Sequence, residues 1–274
     1  MVTVLDVLQG ATDYLSKKGV ESPRLNAEHL LASILKLRRL QLYMEFDRPL
    51  GEAEKAPMRD LIRRRGEGIP LQHLLGSVEF FGREFRCDPR ALIPRPETEQ
   101  LVEFTLARLP ATASSVVDVG TGSGVIAITL QLERPGLSVT GTDRSADALA
   151  LARENAGLLS APIEWIETDL LPKERHFDAI VANLPYIPTS ELSGLSREVK
   201  NDPLSALDGG PDGMDLLRQL IAMAPGSLNR GGLLALETGT GQPEQLVGSM
   251  PNFRDIEVVK DYQGHSRFLF ARHG

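Results

Sequence analysis

The chain has 274 residues, 42% apolar and 24% charged, with 30 Lys and Arg against 37 Asp and Glu for a net charge of −7. That acidic balance excludes a general nucleic-acid coat, and the lone cysteine, Cys87, excludes an internal disulfide or a cysteine-based zinc cluster. No apolar run reaches the ~18–20 residues of a membrane helix, and Asp6 in the amphipathic stretch Met1 to Lys18 argues against a signal peptide, so a cytoplasmic, metal-free protein is expected.

The charge is unevenly spread. Residues 1–95 hold 16 Lys and Arg against 13 Asp and Glu, whereas residues 96–274 hold 14 against 24. The asymmetry points to two modules with different tasks.

The first module reads as helices. Val4, Leu8, Ala11 and Leu15 recur at helical spacing, with Thr3 as N-cap, Asp6 in the first turn and Gly19 as a stop. Ser22-Pro23 is a second start signal, followed by Leu30, Ile34 and Leu37 on one side. Gly51 to Arg65 gives a third helix with Met58, Leu61 and Ile62 apolar. Its closing Arg63-Arg64-Arg65 reads either as a solvated helix end that suits the helix dipole or as a patch for an acidic or RNA-bearing partner. Val78–Phe81 and Phe85–Cys87 are β-prone runs with Gly82-Arg83-Glu84 between them, a hairpin spacing. In Leu92 to Glu99, Pro94 and Pro96 prevent regular structure, and helical periodicity resumes from Thr98. Arg95 and Glu97 on that stiff segment can line a site.

The second module alternates strands and helices. Val116–Val119 is a buried strand, then come Gly120-Thr121-Gly122-Ser123-Gly124 and a helix from Val125 to Leu132. Strands follow at Leu137–Thr142, Ile163–Ile166 and Phe177–Ala182, with a helix capped by Ser145 after the first of them. A helix over Asp215–Met223, a strand at Leu233–Leu236, and a terminal pair at Ile256–Val259 and Phe268–Ala271 complete it. This order predicts a doubly wound parallel sheet, whose ligands bind beyond the carboxyl ends of the strands. Gly120–Gly124, Asp143, Asp169 and Asn183 all fall at such ends.

A glycine loop lets a ligand approach the backbone, because no Cβ intervenes. The pattern here is G-x-G-x-G, without the spacing of dinucleotide sites. Asp143, 19 residues after Gly124, can cap the next helix or accept both hydroxyl hydrogens of a ribose. A nucleoside without pyrophosphate, such as S-adenosylmethionine, fits that pair. Asn183-Leu184-Pro185-Tyr186 can be a capped turn or a binding loop for a planar nitrogen. In the second case the Asn183 side-chain oxygen accepts one N–H and a backbone carbonyl accepts the other, which turns the nitrogen lone pair toward a methyl donor. Pro185 stiffens the loop, and Tyr186 can pack on the substrate plane or near a sulfonium.

The loop resembles that of methyltransferases acting on amide or amine nitrogens. Pro70–Gly76, Glu79–Gly82, Leu92–Glu99, Asp118–Gly124, Asn183–Ile187, Pro203–Gly210, Leu236-Glu237 and Gln242 together resemble the HemK/PrmC family of release factor glutamine methyltransferases, over nearly the whole chain. The resemblance implies an α/β fold: a small helical substrate-recognition domain over 1–75, a β-hairpin linker over 76–95, and a Rossmann-like methyltransferase domain over 96–274. That last domain would carry a seven-stranded, mostly parallel sheet with its last strand antiparallel. It implies methyl transfer from S-adenosyl-L-methionine to the side-chain nitrogen of the glutamine in the Gly-Gly-Gln loop of peptide chain release factors. By position, Gly120, Thr121, Gly122, Ser123, Gly124, Asp143, Arg144, Asp169, Leu170 and Asn183 would contact the cofactor. Asn183, Leu184, Pro185 and Tyr186, with Arg95 and Glu97, would contact the glutamine loop. Two positions depart from the family pattern: Leu184 stands where a proline is usual, and Leu170 where relatives can carry an aromatic residue.

Three other readings are open from the sequence. A ribosomal protein is an alternative glutamine substrate, although Arg95–Glu99 favours release factors. Adenine in ribosomal RNA is another, opposed by the net −10 of residues 96–274. The third is a non-catalytic S-adenosylmethionine-binding module, opposed by intact Asp143 and Asn183. A monomer with no direct contact to nucleic acid and none to a membrane is expected.

Overall fold

The computed structural model describes residues 1–274, which divide into two compact units: Met1–Ser77 with Ser196–Asn201, and Val78–Leu195 with Asp202–Gly274.

The first unit holds α1 (Val4–Lys17), α2 (Pro23–Leu35), α3 (Glu52–Gly66) and the short α4 (Leu71–Leu75). Val4, Leu8, Ala11 and Leu15 of α1 are buried with Leu30, Leu31, Leu42, Met58 and Ile62. The Thr3 hydroxyl accepts the Asp6 N–H at 3.3 Å and Asp6 Oδ2 accepts the Thr3 N–H at 2.9 Å, a capping box that contributes ~1 kcal/mol. Ser22 does not cap α2 with its side chain; its φ of 46° turns the chain sharply, and Pro23 opens the helix instead. Lys36 takes a left-handed conformation and ends α2, so Leu37 lies beyond it, its N–H returning to the Ala32 carbonyl at 3.0 Å.

The arginine run at the end of α3 does not behave as one patch. Arg63 is exposed and pairs with Asp60 and Glu67. Arg65 is only 3% exposed and donates to Asn26 Oδ1 at 2.7 Å, the Ile69 carbonyl at 3.2 Å and Glu198 Oε1 at 2.6 Å. Three partners on different segments make it an interior strut of this unit.

A hairpin of β1 (Ser77–Phe80) and β2 (Arg83–Arg86) follows. Its turn is Phe81-Gly82, with φ of 51° and 72°, a two-residue turn that falls before the expected Gly82–Glu84. Phe80 and Phe85 sit edge to face, 6.0 Å apart, in the core of the second unit. Next, α5 (Pro96–Arg108) starts two residues earlier than the periodicity suggested. Proline at the first helical position costs no hydrogen bond, so Pro96 opens the helix rather than delaying it.

The remaining elements are β3 (Ser115–Val119), α6 (Val125–Glu133), β4 (Ser138–Asp143), α7 (Ala146–Leu159), β5 (Ile163–Glu167), β6 (Phe177–Asn183), α8 (Asp215–Met223), β7 (Leu228–Glu237), α9 (Gln242–Leu246), β8 (Phe253–Lys260) and β9 (Ser266–His273). The seven-stranded sheet has the order β5-β4-β3-β6-β7-β9-β8. All neighbouring pairs are parallel except those made by β9, which is antiparallel to both β7 and β8. Alternate residues serve two cores. Val116, Ala179 and Val181 join α5, α6 and the hairpin, while Val117, Val119, Ile180 and Ala182 join α8. Strand order reverses between β3 and β6, where Val119 stands level with both Thr142 and Ala182. A crevice therefore opens beyond these three carboxyl ends.

Candidate active site

The crevice is a cleft of about 1030 Å³, counting the part open to solvent. That is the scale of a small-molecule site, roughly 300–1,000 Å³. Its floor comes from Gly120–Ser123, Asp143 and Leu170, and its walls from Ala91–Pro94 on one side and Asn183–Pro185 with Pro203, Ser205 and Ala206 on others.

Carboxylates hold the glycine loop from beneath. Asp118 is fully buried; its Oδ2 accepts the Thr121 hydroxyl at 2.5 Å and the Ala127 N–H at 3.1 Å, while Oδ1 has no partner. Burial, with some repulsion from Asp143, pushes its pKa up to about 7. Asp143 Oδ2 accepts the Gly122 N–H and its Oδ1 the Ser145 N–H, each at 2.9 Å. The capping task after β4 falls instead to Ser145, whose hydroxyl accepts the Ala148 N–H at 3.2 Å. The Thr121 and Gly124 amides are bonded to the Thr142 and Thr121 carbonyls. Four donors around the start of α6 are thus committed, two of them to carboxylates, which makes this helix end a poor pyrophosphate cradle. It suits a neutral or cationic nucleoside. A carboxylate has acceptor capacity beyond two bonds, so Asp143 can still receive a ribose diol. A Cβ added at Gly122 would meet only Ala91, at 3.8 Å, which leaves a ligand room to approach.

At the end of β6, Asn183 Nδ2 donates to Thr98 Oγ1 of α5 at 3.0 Å. Behind them lies Glu237, at the end of β7 and paired in register with Asn183. Burial raises the Glu237 pKa to about 7, against hydrogen bonding from Thr98 and Asn183 and the attraction of Arg267; Glu97 adds repulsion. Tyr186 points away from the cleft into the core around β6 and α8. Burial, then the charge of Glu237, raises its phenol to about 12. Its carbonyl accepts Gln242 Nε2 at 2.9 Å.

The structure thus brings Arg95, Gly120, Thr121, Gly122, Ser123, Asp143, Arg144, Asp169, Leu170, Asn183, Leu184 and Pro185 to one cleft. Gly124, Tyr186 and Glu97 do not line it. Gly124, with φ of 84°, is tucked under Trp165 and Ala152. Arg95 pairs with the buried Asp202 at 2.8 Å, and Asp202 also takes the Ile93 N–H at 3.1 Å, which fastens one wall of the cleft. Leu170 has φ of 59°, and its carbonyl accepts the Thr142 hydroxyl at 2.8 Å. Thr98, Asp118 and Asp202 were not among the site residues expected from sequence, although Thr98 and Asp118 lie in motifs that carry the resemblance. Of these, Asp118 had a signal, since it is the one charged residue in an apolar strand.

The family model described as "PrmC N-terminal domain" matches residues 6–76, and "Methyltransferase small domain" matches 98–196. A release factor glutamine methyltransferase of Geobacter sulfurreducens is 43% identical, covering 99% of this chain and 97% of its own. Proteins of the same name from Moorella thermoacetica and Chlorobaculum tepidum are 41% and 40% identical; the alignments cover 98% and 97% of this chain, and 98% and 96% of theirs. Among solved structures, a ribosomal protein L11 methylase of Lactobacillus delbrueckii is 26% identical with a TM-score of 0.50, covering 69% of this chain and 84% of that one. A T. thermophilus 16S rRNA methyltransferase in complex with AdoMet and guanosine is 21% identical, with a TM-score of 0.52 over 72% of this chain and 50% of that one, a likeness of fold.

Proposed function

This chain belongs to the release factor glutamine methyltransferases, and on that footing we propose how its cleft transfers a methyl group to the side-chain amide nitrogen of the glutamine in the Gly-Gly-Gln loop of peptide chain release factors. It is an S-adenosyl-L-methionine-dependent enzyme. When bound, that cofactor supplies a methyl group on a cationic sulfur, the electrophile the amide needs. Asp143 and the loop Gly120–Ser123 would hold the nucleoside, and Leu170, Asp169 and Arg144 line the same cleft.

An amide nitrogen is a weak nucleophile because its lone pair is delocalised into the carbonyl. Asn183 Oδ1 accepts one amide N–H and the Leu184 carbonyl the other, which favours a pyramidal nitrogen facing the methyl group. The alkylated amide nitrogen is strongly acidic, so its proton leaves to solvent after transfer without a strong base, and the rate comes from alignment. The mildly basic helical unit engages the body of the release factor.

The observation that carries this reading is Asn183 at the mouth of the cleft, its Nδ2 tied inward to Thr98 and its oxygen left for substrate. Labelled S-adenosyl-L-methionine is incubated with the protein and a release factor, wild-type or with the loop glutamine replaced. Label is expected on the wild-type factor alone; equal label on both refutes the substrate. Asn183→Ala is expected to lower kcat by roughly 10²-fold with cofactor affinity little changed.

A further inference from the structure

The remaining question is what aims Asn183, and the answer rests on the reading that Asn183 receives the substrate amide. An asparagine side chain has an acceptor end and a donor end of nearly the same shape. Only the acceptor end serves here. Rotated by half a turn, the group would set its NH2 against the substrate N–H, donor to donor.

In the structure the donor end is committed inward, from Asn183 Nδ2 to Thr98 Oγ1 at 3.0 Å. Thr98 is 3% exposed, and its hydroxyl has a single hydrogen. Having accepted from Asn183, it has that hydrogen left for Glu237, which stands in register with Asn183 and whose charge Thr98 stabilises. Glu237 is 1% exposed, and its Oε2 has no partner. An ionised carboxylate only accepts, so it dictates the direction of every bond in front of it. We propose that Glu237 and Thr98 are positioning residues for methyl transfer: the carboxylate orients the Thr98 hydroxyl and draws on the Asn183 amide directly, the hydroxyl accepts from Asn183 Nδ2, and Asn183 Oδ1 is thereby locked toward the substrate. Neither residue touches the reacting atoms.

The relay has a pH signature. Burial sets the Glu237 pKa at about 7. The groups facing it are Thr98 and Glu97 from α5, Asn183 from β6, Tyr186 from the loop beyond, and Arg267 from β9. Once protonated, the carboxyl can donate, the Thr98 hydroxyl is free to turn, and the direction is lost. Activity therefore falls as pH drops through about 7.

The test uses the full chain, labelled S-adenosyl-L-methionine and a release factor. Thr98→Val keeps the shape and removes the hydroxyl; kcat should fall roughly 10- to 100-fold, as for leaving a buried donor unpaired, with the cofactor Kd within about twofold. Thr98→Ser restores the hydroxyl and should return kcat to within about threefold of wild type. Thr98→Val combined with Asn183→Ala should be no slower than Asn183→Ala alone, because both remove one unit. Glu237→Gln should abolish the acid limb of the kcat profile. Impaired Asn183→Ala beside an unimpaired Thr98→Val overturns the relay and leaves the Asn183 reading standing. An unimpaired Asn183→Ala overturns that reading itself. A parallel loss of kcat and cofactor affinity in both Thr98 variants means simple packing and also overturns the relay, and an acid limb that persists in Glu237→Gln removes Glu237 from it.

Discussion

Asp143→Asn isolates the cofactor half of the site. In the wild type the two carboxylate oxygens each hold a backbone N–H at 2.9 Å, one from Gly122 in the glycine loop and one from Ser145 at the start of α7. Asparagine keeps one oxygen and turns an NH2 toward the other donor. One charge-assisted bond is lost, worth about 1.5–3 kcal/mol. Asp143 is half-buried, so water reaches part of the freed group and lowers the loss to ~1–2 kcal/mol. Asparagine also leaves one oxygen where the ribose diol would meet two, and losing one such bond at this half-buried site, ~1–2 kcal/mol, gives roughly 5- to 30-fold weaker cofactor binding. The loop itself should show the change as a Tm lowered by about 2–5 °C without cofactor. The Asn183, Thr98 and Glu237 group lies on α5, β6 and β7 and is untouched, so kcat at saturating cofactor should stay within about threefold. Titration calorimetry with S-adenosyl-L-methionine gives the Kd, and label transfer at saturation gives kcat. An unchanged Kd with a collapsed kcat would refute the assignment, because Asp143 would then act on the amide side.

Two further perturbations test the scaffold. Arg65→Met keeps the volume and breaks bonds to Asn26, Ile69 and Glu198; with Glu198 well exposed, the loss in urea unfolding of the full chain should be ~2–4 kcal/mol, and a loss below about 1 kcal/mol would make Arg65 a surface residue in effect. Asp118 has its folded pKa raised from an ordinary 3.8 to about 7. Its ionised form therefore costs stability, a cost absent below about pH 4, growing as pH rises and complete above about 7. Asp118→Asn should gain on the wild type across that window, by at most ~1.4 kcal/mol per pH unit; a difference that does not vary with pH removes the argument.

The strand ends were legible because apolar runs alternate with turn residues that mark where each strand stops, and Gly120–Gly124, Asp143 and Asn183 sit at those marks. Thr98 was not. In the sequence it is one polar residue in Pro96-Glu97-Thr98-Glu99, and its partner Asn183 lies 85 positions away. Asp202 and Arg95 are 107 apart, and no local pattern pairs them. Arg65 carried a readable signal: Met58, Ile62 and Arg65 are spaced by four and three, so Arg65 falls on the apolar stripe of α3 while Arg63 and Arg64 do not. Its charge, seen as part of a run, hid its position. The early start of β7 at Leu228 was masked by Asn229-Arg230-Gly231-Gly232, which reads as a turn. There β6 supplies the pairing, with an irregularity at Phe177/Ala179 that local sequence does not announce.

Leu184 shows how the chain keeps its amide loop rigid without the proline usual in the motif. Its side chain is buried over Gly120, and a Cβ at residue 120 would lie 2.7 Å from Leu184 Cδ2. Gly120, with φ of 69°, thus serves twice: it allows the turn and admits the leucine. The glycine loop and the Asn183–Pro185 loop are therefore packed on each other directly across the reversal between β3 and β6. Behind the loop, the Ile187 N–H bonds the Leu207 carbonyl at 3.1 Å, the Gly209 N–H bonds the Ile187 carbonyl at 2.9 Å, and Gln242 holds the Tyr186 carbonyl. Gly209 is required there, since a Cβ would come within 2.7 Å of the Pro185 carbonyl oxygen. A loop fixed in front by packing and behind by backbone bonds suits a reaction whose barrier is lowered by alignment. Glu237, paired in register with Asn183 and 1% exposed, lies sealed behind it, where it can aim the amide but cannot take its proton.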